Sequence, residues 1–87
     1  MTSGPVGSIP TVTIRYWASA RAVAGCDSEH FPGRDVGEVL EAAAAAHTGL
    51  GAVLEVSTIL MDGRPVTAAE SLPEGAMLEV LPPFAGG

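Results

Sequence analysis

Two stretches near opposite ends of the chain, residues 11–17 (TVTIRYW) and 76–81 (AMLEVL), alternate in polarity from one residue to the next. Successive side chains of a strand point to opposite faces, so this alternation predicts two half-buried strands. Val12, Ile14 and Tyr16 share the inner face of the first, and Leu78 and Val80 that of the second. Thr11, Thr13, Arg15 and Trp17 face the other way, as do Met77, Glu79 and Leu81. Such strands need hydrogen-bonding neighbours at their sides and an apolar cover on one face.

The cover is encoded between them. Asp35 followed three residues later by Glu38 forms a capping-box pattern, in which the first carboxylate accepts early amide hydrogens and the second reaches back. Val36, Val39, Leu40, Ala43 and Ala46 then fall on one side and Glu38, Glu41 and Ala45 on the other, with His47-Thr48-Gly49 as the stop, so a helix is predicted over residues 36–47. The alanine run 42–46 reads as helix propensity and close packing on a sheet. A shorter helical stretch is expected over residues 50–56.

The remaining segments supply short strands and turns. Residues 18–27 (ASARAVAGCD) predict a small-residue turn or single helical turn ending at Gly25, and residues 27–31 (DSEHF) a short antiparallel strand, with PGR (32–34) closing that hairpin. In residues 58–66 (TILMDGRPV) a strand, a tight turn at Asp62-Gly63 and a brief return are expected, because Asp-Gly tolerates the positive φ of a two-residue hairpin loop. Residues 70–76 (ESLPEGA) form a polar turn. The predicted class is α+β: a mixed sheet of four to five strands packed on one main helix. Residues 1–10 are expected to be a flexible extension, 11–81 the domain and 82–87 an extended tail.

Charge and composition exclude several functions. At 87 residues there is room for one domain, which at this size buries about 60% of its unfolded surface. Ten acidic residues face four arginines, Arg15, Arg21, Arg34 and Arg64, lysine is absent and the net charge is −6. No phosphate-neutralising stripe or basic membrane face can be built from that set, so neither nucleic acid nor a membrane is an expected partner. No apolar run approaches the ~20 residues needed to span a bilayer, and the first residues lack a signal-peptide pattern, so a cytoplasmic location is expected. Cys26 is the single cysteine and has no internal disulfide partner. Its spacing to His30 and His47 is not that of a metal-ligand motif, and no HExxH, phosphate loop or Ser-His-Asp set is present, so no metal and no bound cofactor are expected.

The tail raises the functional question. In LPPFAGG (81–87), Pro82 and Pro83 fix φ and offer no amide hydrogen, so the last strand cannot extend its ladder and the chain is held extended. Six residues from Pro82 to Gly87 reach roughly 20 Å. Phe84 is placed to plug the entrance of a partner's pocket, followed by Ala85. Gly86 and Gly87 lack Cβ and so let the backbone pass close to pocket walls.

The order of elements, the DG turn, the PEG turn before the last strand and the PPFAGG ending resemble the MoaD/ThiS family of β-grasp, ubiquitin-like sulfur carriers over residues 11–87. Within it, the double proline and the opening RYWASARAVAG are most similar to small subunits of molybdopterin synthase. The resemblance implies a chain that is not an enzyme on its own. A carboxylate is a poor acyl donor, so that of Gly87 would be adenylated with ATP by an activating enzyme and converted to a thiocarboxylate. The tail would then enter the large catalytic subunit of molybdopterin synthase. Sulfur donation to thiamine, cysteine or tRNA pathways, or conjugation to lysines as a protein modifier, would use the same activated Gly87. Trp17 and Leu81, with Phe84, are expected to form an apolar partner interface. Arg21, at a position where the resembling subunits also carry an arginine, would pair with a partner carboxylate.

Overall fold

The computed structural model describes residues 9–83. Eight elements follow in order: β1 (Thr11–Tyr16), α1 (Ala18–Ala24), β2 (Ser28–Pro32), α2 (Val36–Ala46), α3 (Leu50–Val56), β3 (Thr58–Met61), β4 (Arg64–Pro65) and β5 (Met77–Leu81). The five strands make one mixed sheet in the order β2-β1-β5-β3-β4. The two strands most legible in the sequence lie side by side at its centre, β1 running parallel to β5 with Thr13 opposite Met77 and Tyr16 opposite Val80. β2 and β3 pair with them antiparallel from the outside.

The alternation does what it predicts. Val12, Ile14, Tyr16, Leu78 and Val80 are at most 1% exposed, and Ile59 and Met61 of β3 join them on the same face. Val36, Val39 and Ala43 of α2, Leu50 of α3 and Ala20 and Ala24 of α1 cover that face. Alanines at the α1 contact let the helix backbone come close to the sheet.

Four local readings are corrected. The segment after β1 is a seven-residue helix, α1, ended by Gly25 in the left-handed region (φ 78°) with its amide donating to the Arg21 carbonyl at 2.8 Å. This helix, with the Tyr16 amide donating to Asp27 O at 2.8 Å, closes the β1–β2 hairpin. PGR instead leaves the open end of that hairpin, where Gly33 donates to the Pro10 carbonyl at 3.0 Å. Gly33 is needed there because a Cβ would stand 2.4 Å from Cγ2 of Val39, so α2 lies directly on this turn.

At the start of α2, Asp35 Oδ1 accepts from the Glu38 amide at 2.9 Å, as a cap should, but Glu38 Oε1 reaches one residue further back than a capping box requires, to the Arg34 amide at 2.6 Å. The next free amides of the first turn, Val36 and Gly37, donate to the carbonyls of Glu70 and Ala68 at 3.0 and 2.9 Å, so the long β4–β5 connection finishes the cap. At the other end Ala46 is exposed. The inward position falls to the C-cap residue His47, whose ring packs edge-on to Tyr16 at 6.3 Å between centroids. The hairpin turn is as expected, Asp62 and Gly63 both having positive φ (49° and 89°).

A candidate docking face and the base of the tail

The helices cover one face of the sheet, and the other carries the outward side chains. By register Thr13 lies beside Met77 and Arg15 beside Glu79, with Leu60 of β3 beyond Glu79 and Thr58 beyond Leu81. Trp17 follows directly on β1, its amide donating to the Val80 carbonyl at 3.2 Å, and so sits one step past the Tyr16–Val80 pair, next to Leu81 in register. Trp17 and Met77 are each 37% exposed, and Leu81 is half-buried. Two of the residues predicted for a partner interface, Trp17 and Leu81, are thus brought together at the sheet end from which β5 leaves.

The indole of Trp17 is held on both sides. Its Nε1–H donates to Glu79 Oε2 at 3.2 Å, and the Arg15 guanidinium lies 4.7 Å from the ring centroid, the geometry of a cation–π contact. Arg15, Glu79 and Met77 were not picked out from the sequence as site residues. The signal was present in their outward positions on two alternating strands, but it becomes readable only with the parallel register. Arg21 does not join this group. It sits on α1 and pairs with Asp27 at 3.5 Å, both side chains well exposed (59% and 75%), and such a pair holds the α1–β2 turn only weakly.

β5 ends at Leu81, where the prolines were expected to stop it. Pro82 is buried and Pro83 exposed. Because β5 is flanked on both sides, the chain enters Pro82 from the middle of the sheet and not from an edge. The expected tail residues Phe84, Ala85, Gly86 and Gly87 lie outside the described residues, as do residues 1–8 of the expected extension.

A second polar group forms where β1, β2 and α2 meet. The buried Tyr16 hydroxyl donates to Glu29 Oε1 at 3.0 Å, and Glu29 Oε2 is 2.6 Å from His47 Nε2. Cys26 completes the set, its ligand atom lying with those of Glu29 and His47 inside a 4.8 Å span. Burial works against the charge on Glu29, but the hydrogen bonds from His47, Tyr16 and Cys26 prevail and hold its pKa below the ordinary carboxylate value. Burial pushes the Tyr16 phenol strongly upward, with Glu29 adding to the effect, and raises the Cys26 thiol for the same two reasons. Linear spacing separated Cys26 from His47, and the fold brings them together.

The sheet order, the parallel central pair and the helical cover are those of the β-grasp, ubiquitin-like proteins. The model of the ThiS family matches residues 14–87, and the chain belongs to that family. It is thus a small ubiquitin-like protein of the carrier or modifier type. Among solved structures it is similar to a candidate molybdopterin converting factor subunit 1 from Pyrococcus furiosus, with 26% identity, TM-score 0.77 and coverage of 86% of this chain and 99% of that one. The H. volcanii small archaeal modifier protein 1 shares the fold at TM-score 0.79 and 21% identity, with coverage of 86% and 99%. Subunit 1 or 2 in a complex of molybdopterin-converting factor from Helicobacter pylori 26695 matches at TM-score 0.67 and 22% identity, with coverage of 88% and 99%. A comparison with curated proteins gave no match. No helix among the described residues is long and apolar enough to cross a membrane.

Proposed function

We propose that this chain is a sulfur carrier whose Gly87 carboxylate is activated and converted to a thiocarboxylate, and that it donates the sulfur as the small subunit of molybdopterin synthase. The observation that carries the reading is the family match running through Gly86 and Gly87. The likeness to the P. furiosus protein supports the molybdopterin assignment, and the H. pylori complex of subunits 1 and 2 supports a large catalytic subunit as partner. Cytoplasmic action and an adenylating enzyme as second partner belong to the same proposal.

The chemistry follows from the acyl group. A carboxylate oxygen of Gly87 attacks the α-phosphorus of ATP on the activating enzyme and pyrophosphate leaves. A sulfide equivalent then adds to the acyl carbon and AMP leaves, giving a thiocarboxylate whose sulfur is a soft nucleophile toward an electrophilic carbon. Trp17, Leu81 and Met77 on the open face supply apolar docking area beside the tail base, and Arg15 and Glu79 fix the indole in place. The test is intact mass spectrometry after incubation with an activating enzyme, ATP and a sulfur source. Exchange of oxygen for sulfur adds roughly 16 Da, and deletion of Gly87, which moves the carboxylate back by about 3.5 Å, should abolish the gain while leaving Tm unchanged. Absence of the gain in the wild-type chain, or undiminished sulfur transfer by the deletion, would refute the assignment.

The likeness to the small archaeal modifier protein favours one second reading, conjugation of the same activated Gly87 to lysines of other proteins. Isopeptide-linked adducts in place of the 16 Da gain would select it.

A further inference from the structure

We propose that Cys26, Glu29 and His47 form a zinc-binding site that stitches the α1–β2 turn, β2 and the end of α2 together. The three side chains come from three separate parts of the fold, and one ligand atom from each lies within 4.8 Å of the other two. In a tetrahedral site with Zn–S near 2.3 Å and Zn–N and Zn–O near 2.0–2.1 Å, the ligand atoms stand about 3.3–3.6 Å apart. The cluster needs only a small adjustment to reach that geometry. The His47–Glu29 contact opens from 2.6 Å to about 3.3 Å as the metal takes the place of the shared proton.

The donor set selects the metal. A thiolate and an imidazole favour zinc over the hard cations magnesium and calcium, and one thiolate, one carboxylate and one neutral imidazole balance its two positive charges. Coordination displaces the Cys26 thiol proton to solvent, while a neutral His47 keeps its single proton on Nδ1. The supporting contacts are already in place. Tyr16 donates to Glu29 Oε1 and leaves Oε2 as the ligand atom, and its ring packs edge-on against His47, the kind of outer contacts that orient metal ligands. Three protein ligands leave a fourth position for water.

The same residue types could suggest a cysteine nucleophile with a histidine base, but the arrangement is wrong for it. His47 Nε2 is engaged by Glu29 Oε2 at 2.6 Å, and it makes no hydrogen bond to the thiol that a thiol–imidazole pair would need.

The test uses the full chain, stripped with chelator and titrated with zinc chloride alone or with cobalt chloride as a spectroscopic probe. One cobalt per chain should give a thiolate-to-cobalt charge-transfer band and the visible bands of a four-coordinate ion. Cys26→Ser and His47→Gln should lose them, and Glu29→Gln should weaken affinity by about tenfold or more. Zinc at a hundredfold excess over its Kd should raise Tm by about 10 °C or more. A missing charge-transfer band, a band that survives His47→Gln, or an equal rise in Tm for wild type and Cys26→Ser would overturn the site. Should the variants not fold, alkylation of wild-type Cys26 decides the matter. Zinc should slow it by about tenfold or more, and equal rates with and without zinc would count against the proposal.

Discussion

The two faces of the central strand pair carry the same number of chances to be apolar and use them differently. On the covered face Val12, Ile14, Tyr16, Leu78 and Val80 are sealed under three helices. On the open face Thr13, Arg15, Met77, Glu79 and Leu81 leave an apolar surface interrupted by one charged pair around an indole. A side chain on the first face acts on whether the protein folds, and one on the second on what the folded protein meets. Period-two alternation therefore separates stability from recognition within single strands.

The separation can be broken by experiment. The largest effect belongs to the covered face: Leu78→Ala should lower stability by about 2–5 kcal/mol in urea unfolding, yet leave the affinity of the folded fraction for the proposed partner, a large subunit of molybdopterin synthase, unchanged. A tenfold loss of affinity would show that the two faces are coupled. Leu81→Glu and Trp17→Glu should do the reverse, weakening that affinity by about tenfold, or ~1.4 kcal/mol, with Tm nearly unaltered. Calorimetric titration checks the first quantity, and unchanged affinity would remove both residues from the interface.

A smaller effect tests the Glu29 group. Its pKa is lowered in the folded state, so it contributes stability above its unfolded value of about 4.3, and that contribution is lost as pH falls through the folded value. Chelator-treated Glu29→Gln should therefore show a flatter decline of Tm in acid than wild type. The smallest effect is expected at Arg21. With both it and its Asp27 partner mostly exposed, Arg21→Ala should change stability by under about 1 kcal/mol and leave docking intact. A tenfold loss of binding would restore Arg21 to the interface.

Legibility followed the range of the interactions. β1, α2, β5 and the Asp62-Gly63 turn were readable because neighbouring residues specify them through alternation, a cap and a positive φ. The helix α1 was compressed into a turn because it has no polar cap: its N-cap is Trp17, which makes no side-chain capping bond. PGR looked like a hairpin turn because proline and glycine punctuate any change of direction, whereas Gly33 is there to let Val39 approach. Of the docking face, Trp17 and Leu81 were visible from strand patterning, but the Arg15–Trp17–Glu79 stack needs a pairing across 62 residues. The Cys26–Glu29–His47 group was invisible for a related reason. His47 read as a helix stop, and only the tertiary packing of α2 on β2 turns its ring toward Glu29.

The parallel pairing of β1 with β5 also sets the order in which the molecule can be made. Thr13 waits for Met77, a separation of 77 − 13 = 64 residues, and until that loop closes the sheet has no centre. Closure over such a distance is an entropic barrier that local elements cannot relieve. On a ribosome, α1, β2 and α2 emerge well before the strand that completes the core. A chain that stops short of β5 leaves one edge of β1 without its hydrogen-bonding partner. The pairing that positions the tail base is thus also the last central contact that the growing chain can make.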